Sequence, residues 1–264
     1  MFSLDWKLAF CSSSFTFLNK YPNIFLIYRT ILFFVVLIDL IHGILLTHPI
    51  HEWPIYYTHI TLLITFFAIL FQFIITYRVN FFRGNDIVPR HSLQYIHVIL
   101  ILISLTSGLA VCLLYWTVIY NSSAQIYYPK IILDHGILWL LLFIDIFFLT
   151  RLPIYMIDCI PFLILTFIYG LFTLLIFIFK SRFSRNRIGY VYSAFNLSNS
   201  PLRVTIQLGS FIVLVPIASV FLLWNIFRLR RAIDVQLPEG GSGGGGEQED
   251  EIEEKDQTDA SIIA

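Results

Sequence analysis

The chain has 264 residues, 58% hydrophobic and 17% aromatic but only 13% charged, with 17 Lys+Arg balancing 17 Asp+Glu. Soluble globular proteins carry about 25% charged residues, because a compact body needs a wettable exterior. A soluble enzyme, a nucleic-acid binder and a disordered chain are therefore poor first readings. A polytopic membrane protein remains.

In chain order, residues 1–23 lack the basic start and small-residue cleavage site of a signal peptide and are read as a mature N-terminal segment. A membrane-crossing helix needs about 20 mostly apolar residues. Six stretches satisfy this: Ile24–Leu46, Ile55–Tyr77, Tyr95–Tyr120, Ile131–Thr150, Cys159–Phe179 and Thr205–Phe227. Their Ile and Phe content would favour strands in water. In lipid the backbone must satisfy its own hydrogen bonds, which excludes an open sheet. The stretches are also too long and too uniformly apolar for barrel strands. Residues 24–230 are thus expected to form one all-α transmembrane bundle of six helices.

Residues 231–264 read as a cytoplasmic tail, with a flexible linker from Gly240 to Gly246 and an acidic run that cannot bury enough apolar surface to fold. From Glu239 onward nine acids face one base, a net of −8, and residues 1–238 hold sixteen bases against eight acids, a net of +8. The tail is the part most suited to a protein partner. Cys112 and Cys159 lie inside apolar runs and read as small buried hydrophobes. No disulfide framework is implied.

Six spans put both termini on one side. That side carries nine Lys/Arg (Lys7, Lys20, Arg78, Arg83, Arg90, Arg151, Arg228, Arg230, Arg231) and the other six (Lys130, Lys180, Arg182, Arg185, Arg187, Arg203). The positive-inside rule then places both termini in the cytoplasm. The sequons at Asn121 and Asn196 fall on the opposite side, and Asn196 is the better glycosylation candidate.

Ionisable residues inside a span are costly and mark candidate sites. These are Asp39 and His42 in the first span, His59 in the second, His97 in the third, and Asp134, His135 and Asp145 in and beside the fourth. Arg29, Arg78 and Arg151 lie near cytoplasmic ends and are read as snorkelling to headgroups. Asp39 and His42, at i and i+3, are spaced to pair. At about 1.5 Å per residue, Thr58 and His135 both sit about 4–6 Å below the outer ends of their helices. His42 and Asp134 lie near the same level. A hydroxyl, imidazoles and a carboxylate at one depth have the composition of an activated nucleophile, since a threonine hydroxyl needs an adjacent base to react. Thr58, Thr61 and Thr65 share one helical face that Gln72 continues, a pattern that also suits plain helix–helix contact. His48, His51 and Glu52 do not make a recognisable metal set, and no phosphate loop is present, so no metal or cofactor is expected.

These residues carry a resemblance. Trp53-Pro-Ile-Tyr-Tyr-Thr58-His-Ile resembles the Trp…Tyr-x-Thr signature of the rolling stone proteins, within the wider androgen-induced (FAR-17a) membrane family. Tyr28-Arg29 is similar to that family's Tyr-Arg pair, and Asp134-His135-Gly136 to its Asn/Asp-His-Gly motif, with Asp145 and Pro153 following. Gly189 to Asn196, then Ser200-Pro201, resembles the stretch before its last helix, though Asn196-Leu197 replaces the usual Asp-Trp.

The resemblance implies an integral membrane hydrolase of fatty acid esters of hydroxy fatty acids, using a threonine and a histidine that match Thr58 and His135. The rolling stone branch implies instead the plasma membrane and myoblast fusion; the endoplasmic reticulum is the alternative membrane. In the hydrolase reading Thr58 attacks an ester arriving from the bilayer and His135 moves its proton. Asp134 or Asp145 orients that histidine, a choice the sequence leaves open, and His42 and His59 are candidates to line the site. In the rival reading Thr58 and His135 only hold helices together in a non-catalytic contact or fusion protein. A transporter ranks third, since Pro161 and Pro216 interrupt spans without forming an inverted repeat.

Overall fold

The computed structural model describes residues 21–46, 50–81, 91–119, 129–150, 155–178 and 201–236. The N-terminal segment before residue 21, His48, Asn196 and the acidic tail lie outside the described residues. Among those described, every regular element is helical and no strand occurs.

The elements are α1 (Pro22–Leu46), a 3-10 turn (Ile50–Ile55), α2 (Tyr57–Phe81) and α3 (His91–Leu114), which runs on into a π turn at Tyr115–Ile119. Next come α4 (Pro129–Ile132, a π turn Leu133–Ile137, then Leu138–Phe148) and α5 (a 3-10 turn Met156–Cys159, then Ile160–Ile178). The last is α6 (Pro201–Gly209, a π turn Ser210–Leu214, then Val215–Gln236). Each holds a segment long and apolar enough to cross a membrane: Asn23–Leu45, Tyr57–Phe81, Tyr95–Thr117, Lys130–Phe148, Met156–Ile176 and Val204–Ala232. The chain is an integral, multi-pass, all-α membrane protein with the expected six spans.

Several boundaries lie further out than the apolar stretches, with α3 beginning at His91 before Tyr95 and α6 at Pro201 before Thr205 among them. α2 continues past Tyr77 to Phe81, and α6 continues past Phe227 to Gln236. Hydropathy falls at Arg228-Leu-Arg-Arg, but no Gly or Pro is there to stop the helix. Arg230 is itself buried against α4.

Contacts fix the alternation of the helices. Arg29, early in α1, reaches the end of α4, whereas Lys130, at the start of α4, reaches Asp39 late in α1. The end holding Pro22 and Gln236 is termed the near end, and the other the far end.

α1 shows how an apolar helix can still have two faces. Ile24, Ile27, Ile31, Phe34, Ile38, Ile41 and Leu45 are exposed, at the three-and-four spacing of one helical face. Phe25, Arg29, Leu32, Val36, Asp39 and Leu40 are buried on the opposite one. Arg29 and Asp39 thus turn inward among apolar neighbours while the outward face is almost wholly aliphatic and aromatic, as suits a helix whose solvent is lipid, with His42 an outward exception. α3 is the central helix: 61% of its span is buried, against 22% to 39% for the other five.

Two glycines permit close helix approach. A Cβ on Gly108 of α3 would lie 2.8 Å from Cδ1 of Trp139, whose indole lies across the helix and donates to Leu105 O at 3.0 Å. A Cβ on Gly170 of α5 would collide with Ile212 in the π turn of α6. That turn ends two residues before Pro216, where a missing N–H and a bulky ring disturb the preceding turn of any helix.

Candidate active site

The head of α2 is tied down by its own flanking sequence. His59 stacks on Trp53 with ring centroids 4.9 Å apart and planes 5° apart, and its Nδ1 donates to Trp53 O at 2.8 Å. Tyr169 of α5 accepts from the Tyr57 N–H at 3.1 Å and donates to Ile55 O at 2.8 Å. The Tyr57 hydroxyl meets Thr166 at 2.9 Å. These bonds satisfy groups that a helix start leaves open. They also hold Thr58, the second residue of α2, in fixed register.

Below this clip lies a cavity of about 30 Å³, bordered by Thr58, Thr61 and Thr65 of α2 and by Asp39 of α1. Ser104 and Gly108 of α3 and Asp134 and Trp139 of α4 complete the polar part of its wall. The threonine stripe therefore faces one shared space. The volume suits about two water molecules, since one needs roughly 10–15 Å³ by this measure.

Lys130 joins the two acids of this wall. Its Nζ donates to Asp39 at 2.9 Å and to Asp134 at 3.0 Å. The Lys130 side chain is 22% exposed, Asp134 10% and Asp39 1%, so the triad runs from the protein surface inward. Asp39 is not paired with His42, as its spacing suggested. His42 is exposed on the other face of α1, and the cation that Asp39 needs comes from another helix.

His135 lies next to this cavity without being part of its wall. Its ring stacks on Tyr115 with centroids 3.8 Å apart, and Trp116 Nε1 donates to its carbonyl at 3.0 Å. Both partners come from the π turn of α3 and meet the π turn of α4 that carries Asp134, His135 and Gly136. His135 Nδ1 is 3.0 Å from Ile131 O. A carbonyl only accepts, so Nδ1 holds the proton and the neutral ring keeps its lone pair on Nε2. Thr58 and His135 share no hydrogen bond among the described residues. No group of three or more potential metal ligands occurs among them either.

Asp145 belongs to a second polar layer, eleven residues, or about 16 Å, further along α4. Arg29 Nε donates to Asp145 Oδ1 at 3.1 Å, and both side chains are fully buried. Arg29 also donates to the Thr76 hydroxyl and, at 3.3 Å, to Leu149 O. Arg230 donates to Ile146 O at 2.9 Å and Thr150 O at 3.1 Å, closing the end of α4. Arg29 therefore does not snorkel: its guanidinium is spent inside the bundle.

The site residues thus separate by place. Thr58 and Asp134 border one cavity, His135 adjoins it, and His59 clamps the loop above. His42 faces outward and Asp145 belongs to the near end. Reading the sequence missed Lys130, taken as a loop cation, and Ser104. The signal for Lys130 was its i,i+4 spacing to Asp134 together with an acid, Asp39, that had no cation of its own. No family model, curated protein or solved structure matches the chain.

Proposed function

We propose that the protein is an intramembrane hydrolase of lipid esters, of the kind that its resemblance to the rolling stone and androgen-induced proteins implies, acting on substrates such as fatty acid esters of hydroxy fatty acids. The observation that carries this reading is the far-end cavity, where Thr58 and Asp134 share one wall, together with the adjoining His135, whose free nitrogen is Nε2. Orientation follows the count of cations, with cytoplasmic termini, the cavity toward the outer leaflet, and the plasma membrane as the compartment.

In this mechanism Thr58 Oγ attacks the ester carbonyl while its proton passes to His135 Nε2. Collapse of the tetrahedral intermediate breaks the ester C–O bond, and His135 returns the proton to the departing alcohol. Water then attacks the acyl-threonine, again through His135, releasing the fatty acid and restoring the Thr58 hydroxyl. Catalytic hydrogen bonds commonly tighten only when substrate is bound, so Thr58 and His135 draw together in the complex. Asp134 is engaged by Lys130 and Asp145 by Arg29, and the Ile131 carbonyl is the group that orients His135 through Nδ1.

The test is fatty acid release from a branched fatty ester by purified protein in detergent. Thr58→Ala and His135→Ala are each expected to lose activity by about a hundredfold or more, while Asp145→Asn acts on stability instead. Hydrolysis that persists in Thr58→Ala would remove the mechanism. A folded wild type silent on a broad ester panel would favour the non-catalytic contact or fusion reading.

A further inference from the structure

The walls of the far-end cavity accept hydrogen bonds but offer few. Thr61 donates its hydroxyl to Thr58 O at 2.9 Å, Ser104 to Leu100 O at 2.7 Å, and Trp139 its indole N–H to Leu105 O at 3.0 Å. Each of these donors is spent on a backbone carbonyl, and Lys130 is spent on its two acids. Asp39 Oδ1 is taken by Lys130, but Asp39 Oδ2 is buried and meets no donor. A buried carboxylate oxygen without a donor is costly, which makes it an anchor for whatever brings one.

Charge narrows the choice. Asp39 and Asp134 both engage the Lys130 ammonium, so that cation is not free to receive an anionic head. Size narrows it further: the space, enough for about two waters, suits a small polar group such as a hydroxyl better than a whole sugar.

We infer that this cavity binds a free hydroxyl of an uncharged lipid head, with Asp39 Oδ2 as acceptor. The preferred ester then carries a free hydroxyl beside its reacting carbonyl, which sets it apart from fatty acid esters of hydroxy fatty acids, whose hydroxyl is already esterified. Asp39 is a specificity residue that holds the head while Thr58, on the same wall, meets the carbonyl. This rests on the cavity being the substrate site, but it concerns binding and can be read without turnover.

The experiment measures binding of the hexadecyl monoether of glycerol, which cannot be hydrolysed, to full-length protein in detergent. Its di-O-methyl derivative and palmitate serve as comparisons. The hydroxyl compound is expected to bind about tenfold or more tightly than the methylated one, the discrimination due to one hydrogen bond to a charged group. Palmitate is expected to bind weakly. Asp39→Asn should reduce the preference several-fold, and Ile31→Val, on the outward face of α1 away from the cavity, should leave the preference standing. Equal binding of the hydroxyl and methylated compounds to wild type overturns the proposal, whatever the variants do. Hydroxyl-selective binding without ester turnover keeps the head site and removes the hydrolase. Turnover without selectivity does the reverse.

Discussion

Arg29→Met is expected to destabilise the bundle by about 3–5 kcal/mol, the usual cost of stranding one member of a fully buried ion pair. Asp145 is wholly buried, and among the described residues its cationic contact is Arg29 at 3.1 Å. Met fills much of the arginine's volume, so the loss comes chiefly from charge and hydrogen bonding. Thr76 and the Leu149 carbonyl lose their donor in the same step. The double variant Arg29→Met/Asp145→Leu should recover most of the deficit, because removing both charges leaves nothing stranded. Unfolding in mixed micelles by rising SDS fraction measures all three proteins. Had Arg29 reached the headgroups, the single variant would change stability by about 0–1 kcal/mol, as exposed ion pairs do.

Lys130→Met is expected to be the second large effect, about 2–3 kcal/mol, since it leaves Asp39 and Asp134 facing each other without their shared cation. The cost is lower than at Arg29 because Lys130 is 22% exposed and water can reach it. Lys130→Arg keeps the charge and should retain most of the stability. Its bulkier fork beside the two acids is nonetheless expected to lower ester hydrolysis more than it lowers the unfolding midpoint. Comparing activity with stability across Met and Arg separates a residue that only cements helices from one that shapes the cavity.

The spans were legible because a lipid solvent imposes one rule on every helix: long, apolar, and self-satisfied in its hydrogen bonds. The threonine face was legible for the same reason that α1 shows two faces, a fixed angular period. Partnerships between helices were not. The sequence offered Asp39 a neighbour at His42, three residues away, while the structure gives it Lys130 from another helix, 91 residues on. Local spacing says which side chains share a face, but it cannot say which face meets which helix.

Arg29 shows the same limit, with a remedy. It lies seven residues into α1, and Asp145 lies three residues from the end of α4, so the antiparallel arrangement brings them to nearly one level. Matching buried acids to cations by depth, and not only by distance along the chain, would have paired them. The π turns lay further out of reach. Among the described residues one interrupts each of α3, α4 and α6, and the one at Leu133–Ile137 carries Asp134 and His135. The angle between adjacent residues on an ideal α-helix does not apply there.

The most direct test of a nucleophilic threonine is to locate a covalent adduct. Full-length protein in detergent would be treated with a fluorophosphonate, digested, and mapped by mass spectrometry, with Thr58→Ala and His135→Ala in parallel. The account expects one adduct on the peptide containing Thr58, absent from Thr58→Ala and strongly reduced in His135→Ala. An adduct on another residue, or none in a protein that still releases fatty acid, would contradict it.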